Sequence, residues 1–194
     1  MTTTARTHAA HLEHVEAPGS MITKTAARAL AALRITTGFV FLWAFLDKLI
    51  GLGYATPGER AWINGGSPTK GFLSGVEVGP FQDLFHSIAG TPVADWGFML
   101  GLLGIGLALV LGIGMRIAAV GATVMMALMW LAELPLARTT SAGEATHSTN
   151  PLIDYHIIYA ISAIVLALTY AGSTWGLGRV WAKLPFVQKH RWLI

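Results

Sequence analysis

The 194-residue chain contains no cysteine. Disulfides, thiolate metal sites, iron–sulfur ligation, covalently attached haem and cysteine redox chemistry are therefore excluded for it. Any electrons it handles must travel on a bound cofactor or a partner. Charge is scarce too: Asp, Glu, Lys and Arg make up 12% of the residues, about half the share usual in soluble domains. No basic patch interleaved with aromatics is present, so the net charge of +3 gives no sign of nucleic-acid binding. Its Lys and Arg residues flank apolar runs instead, which is the pattern of membrane topology. With hydrophobic residues at 54% and a mean hydropathy of +0.57, the chain reads as an integral membrane protein whose first partner is the lipid bilayer. Its length suits one compact domain and leaves no room for a sizeable soluble one.

Charge-poor stretches predict four spans, at about 27–50, 96–115, 117–136 and 153–174, within a membrane domain covering 23–194. A helix needs about 20 residues to cross the hydrocarbon, yet only the uncharged residues 35–46 separate Arg34 from Asp47. Something ionisable therefore sits at membrane depth. Arg34 is expected to snorkel along its own stem, whereas the short Asp47 needs a partner or a wet cavity. In the second span Gly97/Gly101 and Gly104/Ala108/Gly112 recur at four-residue intervals, a small-residue row that predicts close packing against a neighbouring helix. A tight Gly114-Met115-Arg116 turn leads to the third span, which carries Glu133 beside Pro135. The fourth follows Asn150-Pro151 and holds Asp154 and His156 in its first turn. The expected fold class is all-α: an up-down-up-down four-helix transmembrane bundle with a long structured outer loop.

Residues 1–22 are polar and predict a disordered cytoplasmic tail. They do not make a signal peptide, because the first apolar run starts late and is too long for an h-region. His8, His11 and His14 recur every three residues and could chelate a metal from a helix, although scattered tail histidines commonly hold nothing. With the N-terminus inside, Arg6, Lys24, Arg28, Arg34, Arg116, Arg179, Lys183, Lys189 and Arg191 face the cytoplasm. The other side carries Lys48, Arg60, Lys70 and Arg138. That asymmetry predicts cytoplasmic N- and C-termini in the inner (plasma) membrane. In the outer loop 51–95, Phe81, Leu84, Phe85 and Ile88 predict an amphipathic helix suited to the bundle mouth or the headgroups. Upstream, Glu59 to Leu73 reads as two short helices about a glycine turn, forming a lid.

Under this topology the ionisable groups collect at the outer mouth: Asp47 and Lys48 on the first span, Asp95 on the second, Glu133 on the third, Asp154 and His156 on the fourth. Carboxylates and imidazole poised by burial suit redox chemistry on a membrane-dissolved quinone, which exchanges protons when reduced. Asp47, Glu133, Asp154 and His156 form the expected catalytic, proton-handling set. Lys48 and Lys70 would attract an anionic substrate, with Trp43, Trp62 and Asn64 lining its site. No metal centre is expected there. Intrinsic haem is not expected either, since bis-His ligation needs two facing histidines and only His156 lies near a span. Structural readings stay open for the same residues. Asp47 and Lys48 could form a self-neutralising pair, Glu133 could mark a helix boundary, Asp154 could be a helix cap, His156 could bond a carbonyl, and the tryptophans could be an aromatic belt.

The first-span sequence Arg34, Gly38 and Phe-Leu-Trp-Ala-Phe-Leu-Asp-Lys-Leu, from Phe41 to Leu49, resembles the DoxX family of four-helix membrane proteins. The loop Trp-Ile-Asn-Gly-Gly-Ser-Pro-Thr-Lys-Gly-Phe-Leu, from Trp62, is similar to the DoxD branch, the large membrane subunit of thiosulfate:quinone oxidoreductase. So are Asn-Pro-Leu-Ile-Asp-Tyr-His-Ile-Ile-Tyr-Ala, from Asn150, and Trp-Gly-Leu-Gly-Arg-Val-Trp, from Trp175. The resemblance implies oxidation of thiosulfate to tetrathionate with electrons passed to a membrane quinone, and a small DoxA-like partner subunit. It assigns no catalytic residues. The other function class is a non-catalytic accessory or assembly subunit of a redox complex, docking through the glycine row and the loop helix, with homo-oligomers a further form. A small-anion carrier finds little support without inverted repeats or broken helices.

Overall fold

A computed structural model describes residues 23–194; the tail 1–22, with His8, His11 and His14, lies outside the described residues. The described chain is helical, with no strand and a single isolated bridge between Thr139 and Ala145. Three helices are long and apolar enough to cross a membrane: α1 (Lys24–Ile50), α4 (Pro92–Leu111) and α5 (Met115–Glu133). Between α1 and α4 lie two single-turn 3-10 segments (Gly58–Arg60 and Trp62–Asn64), α2 (Lys70–Ser74) and α3 (Gln82–Ile88). After α5 come α6 (Tyr155–Leu168), a 3-10 turn (Ala171–Ser173), α7 (Gly178–Trp181), α8 (Pro185–Lys189) and a last 3-10 turn (Arg191–Leu193).

Caps explain where the boundaries depart from the apolar runs. Thr23 accepts from the Ala26 N–H and starts α1, and Gly51 ends it in the left-handed conformation that glycine adopts without strain. Thr91 caps α4 with Pro92 at its first position, so α4 begins four residues before the predicted 96. Gly112, left-handed at φ 73°, closes it before 115. The connection to α5 is correspondingly Gly112 to Gly114, and α5 starts at Met115. Leu134, forced to φ 36° ahead of Pro135, stops α5 right after Glu133.

The largest departure is α6. Its 14 residues rise only about 21 Å, short of the ~30 Å hydrocarbon thickness, where a span over 153–174 was expected. The helix breaks at Tyr170, which is left-handed at φ 52°. Arg34 of α1 supplies the cause. Its guanidinium donates to the carbonyls of Ala171 at 3.2 Å, Thr174 at 3.2 Å and Trp175 at 2.9 Å, and to those of Val110 at 2.8 Å and Leu109 at the end of α4. Unwound backbone at membrane depth is tolerated where protein satisfies it, and here a buried arginine does so. Arg34 is 0% exposed and does not snorkel. Gly112 and Gly172 meet at the same place, where a Cβ on Gly172 would overlap the Gly112 carbonyl.

α1 packs chiefly along α4, and α5 along α6, with lesser contacts between α4 and α5 and between α1 and α6. Phe41, Met99, Leu109, Ala122, Met126 and Leu166 are among the buried side chains at the centre. The tight α1–α4 approach uses Gly38, whose Cβ would lie 2.7 Å from Leu109 Cβ, and Gly106, whose Cβ would lie 2.8 Å from Leu42 N. The predicted glycine row is not this seam: Gly97 and Gly104 face open space. They floor an apolar groove of about 1680 Å³ that runs between α4 and α5 from Lys70 to Trp181. The row sits on the opposite side of α4 from Gly106, so four-residue spacing alone did not identify the packed face.

The lid is pinned to α4. Asp95 Oδ1 accepts from Ser67 Oγ at 2.9 Å, from the Thr69 N–H at 3.1 Å and from Thr69 Oγ1. Trp62 packs edge-on against Trp96 at 4.7 Å. On α3, Phe85 is buried with Val76 and Ala132, while Phe81 and Leu84 stay exposed, as an amphipathic element at an apolar surface requires.

Candidate functional site

At the lid end of α5 and α6 three chemically capable side chains come together. Asn150 Oδ1 accepts the N–H groups of Leu152 and Ile153, both at 3.0 Å, and turns the chain toward α6. Asp154 then caps the helix: in extended backbone, its Oδ1 accepts the N–H of His156 at 3.0 Å and of Ile157 at 3.4 Å. That geometry leaves Oδ2 over the first turn, where it meets His156 Nδ1 at 2.9 Å. A carboxylate can only accept, so Nδ1 carries the hydrogen and Nε2 presents its lone pair. The cap reading and the functional reading of Asp154 are thus met by the same side chain.

His156 is 0% exposed, and its Nε2 has no hydrogen-bond partner. It faces Glu133 Oε1 across 4.0 Å, too far for a hydrogen bond. Glu133 is 39% exposed in its side chain and its Oε1 accepts from Tyr155 OH at 2.9 Å. Tyr155 stands edge-on to Tyr159 and Tyr159 to Phe41, both at 6.3 Å, linking the cluster to α1. Burial pushes the Asp154 carboxyl up, but hydrogen bonds from the His156 ring and from the Ile157 and His156 N–H groups outweigh it. The group therefore titrates below the usual carboxylate range. One ligand atom each from Glu133, Asp154 and His156 lies within 4.8 Å of the others. The arrangement can hold, orient and pass a proton, and it offers donors of the kinds that bind cations.

The remaining expected site residues lie elsewhere. Asp47 is buried at 1% exposure, but it makes no hydrogen bond or ion pair with Glu133, Asp154 or His156. Its Oδ1 takes only a long 3.4 Å bond from the Tyr54 N–H, and Oδ2 has no partner. The expectation that Asp47 would meet the other acids is corrected: the turn after Gly51 folds over it instead. Nor do Asp47 and Lys48 form a direct ion pair among the described residues. Trp43 packs edge-on against Tyr54 at 5.3 Å and beside Phe39 at 5.9 Å, next to the Tyr54 N–H that reaches Asp47 and not at the Glu133–His156 cluster. Trp62 packs on Trp96, and Asn64 Nδ2 donates to the Gly58 carbonyl at 2.8 Å, so both shape the lid. Lys48 and Lys70 line the lid end of the α4–α5 groove, a different place from the Glu133–His156 cluster.

Sequence reasoning missed the role of Arg34. A signal was present: the glycine-flanked breaks 112–114 and 172–176 fall at its depth and free the carbonyls it collects. No protein-family model matches the chain, and neither the curated proteins nor the solved structures give a match.

Proposed function

We propose that the chain is the membrane subunit of a quinone-reducing oxidoreductase, its four helices arranged up-down-up-down, its termini cytoplasmic and its lid at the outer leaflet. The observation that carries this reading is the buried imidazole of His156, oriented by Asp154 at 2.9 Å and open at Nε2 toward the half-exposed Glu133. Glu133 and Tyr155 form the solvent end of a proton path, His156 the buried end, and Asp154 fixes the tautomer. Reduction of a quinone consumes two electrons and two protons, and such a path supplies the protons. The resemblance to the DoxD branch supports thiosulfate as donor, two thiosulfates joining through a new S–S bond as two electrons leave. Lys48 and Lys70 would then draw the anion, and a DoxA-like subunit would complete the enzyme. Asp47 has no part in the proton path.

The test is thiosulfate-dependent reduction of a water-soluble quinone analogue by the purified full-length protein in nanodiscs, with and without its co-purifying partner. His156→Gln and Glu133→Gln lower the turnover about 100-fold, within the range that general acid–base groups contribute. Undiminished turnover in either variant sinks the assignment. One observation favours the alternative accessory role: Gly97 and Gly104 floor an open groove on which a partner helix could seat. A chain that shows no quinone reduction in any assembly but co-purifies stoichiometrically with a redox enzyme would support that role.

A further inference from the structure

His156 Nε2, which no protein group answers, and Glu133 Oε1 are both acceptors, and they face each other across 4.0 Å. Two acceptors in that relation repel unless something positive stands between them. Tetrahedral zinc, about 2.0–2.1 Å from an imidazole nitrogen and 2.0–2.2 Å from a carboxylate oxygen, holds two such atoms roughly 3.3–3.5 Å apart, so a closing movement of about half an ångström would seat it. Glu133 sits at the exposed end of α5, with no hydrogen bond on Oε2 among the described residues, and can rotate to close the angle. Behind the imidazole, Asp154 already occupies Nδ1 at 2.9 Å, the carboxylate–histidine–metal relation that orients a ligating ring. We propose that Glu133 and His156, with Asp154 orienting the ring or joining as a third ligand, bind a Zn²⁺-class divalent cation at the lid end of the molecule.

The mixed nitrogen and oxygen donor set favours a borderline ion over Ca²⁺ or Mg²⁺, which prefer all-oxygen shells. Access is from the lid side through Glu133, because His156 has no exposed surface. The remaining coordination positions belong to water. These are the side chains assigned above to proton handling, and one consequence rests on that reading: Zn²⁺ on Nε2 occupies the lone pair that would take the proton and inhibits quinone reduction. Binding itself does not rest on it.

The experiment uses the full-length chain in nanodiscs with His8, His11 and His14 replaced by Gln, so that the tail cannot hold the ion. Zn²⁺ is titrated calorimetrically, and Co²⁺ serves as a visible-absorption reporter of the same site. The expected result is one Zn²⁺ per chain, with affinity falling at least tenfold in His156→Gln and in Glu133→Gln, and about tenfold in Asp154→Asn. Should a variant fail to fold, X-ray absorption of the zinc-loaded parent decides alone, since its shell must contain one imidazole among oxygens. No binding by the parent, unchanged binding in folded His156→Gln, or a shell without imidazole overturns the site. Zn²⁺ bound without inhibition keeps the ion site and removes the proton path. His156-dependent turnover with no Zn²⁺ binding does the reverse.

Discussion

Two buried polar centres stand at opposite ends of the helices, and they are built on opposite terms. Around Arg34 every direction is answered: five carbonyls from α4 and from the segment after α6 accept from one guanidinium. Around His156 the ring is answered on one side only, by Asp154, and Nε2 is left facing an acid it does not bond. Both residues are fully buried ionisable groups, so burial does not distinguish them. Satisfaction does. A saturated centre holds the chain in one conformation, whereas an unsaturated one retains free energy for a proton or a ligand.

Substitution tests that contrast, and the largest effect belongs at Arg34. Arg34→Met removes five donors and leaves several buried carbonyls unpaired, at about 1–3 kcal/mol each. Denaturant or thermal unfolding in detergent should show a loss beyond about 3 kcal/mol, or failure to accumulate. Arg34→Lys, with no planar fork to reach both α4 and the segment after α6, recovers only part. Stability unchanged in Arg34→Met would make the two centres equivalent.

Asp154 comes next, because it belongs partly to each type. Asp154→Ala removes a helix cap and should lose about 1 kcal/mol, whereas Asp154→Asn keeps the cap. Since the folded carboxyl titrates below its unfolded value, its stabilisation is fully present above the ordinary carboxylate range. It is lost as pH falls through the depressed folded value. Unfolding followed from pH 7 to pH 3 should therefore decline more steeply for the parent than for Asp154→Asn. Parallel curves would contradict the depressed titration.

The smallest effect is expected at Asp47. Its carboxylate is buried with one long bond and one unpartnered oxygen, so Asp47→Asn should leave stability within about 0.5 kcal/mol or raise it. Quinone reduction, read in the same preparation, should not change. A 100-fold loss of turnover would join Asp47 to the Glu133–Asp154–His156 cluster, with which it makes no hydrogen bond.

The apolar runs made the membrane-crossing helices legible, because uncharged length is what a bilayer demands. Their ends were not legible to the residue, since Thr91 and Gly112 set them through caps rather than through hydropathy. Glu133, Asp154 and His156 could be read as neighbours because each terminates or begins an apolar run at the same level. Asp47 satisfies the same criterion and still misses the cluster. The rotation of α1 is decided by Gly38 and Gly106 pressing it onto α4, a pairing that no local pattern announces. Arg34 was misread for a related reason: snorkelling is the right expectation for an isolated helix, and carbonyls supplied by two distant breaks override it.

The partners of Arg34 stand 75 to 141 positions further along the chain. During synthesis α1 therefore leaves the ribosome carrying a guanidinium whose acceptors do not yet exist, and it must wait at the bilayer until the last turn before α7 has emerged. The segment after α6 can close onto α1 only once residues 171–175 have emerged to accept from that guanidinium. Contacts of the first helix are thus completed by segments made much later, which makes Arg34 the clasp by which the newborn protein closes.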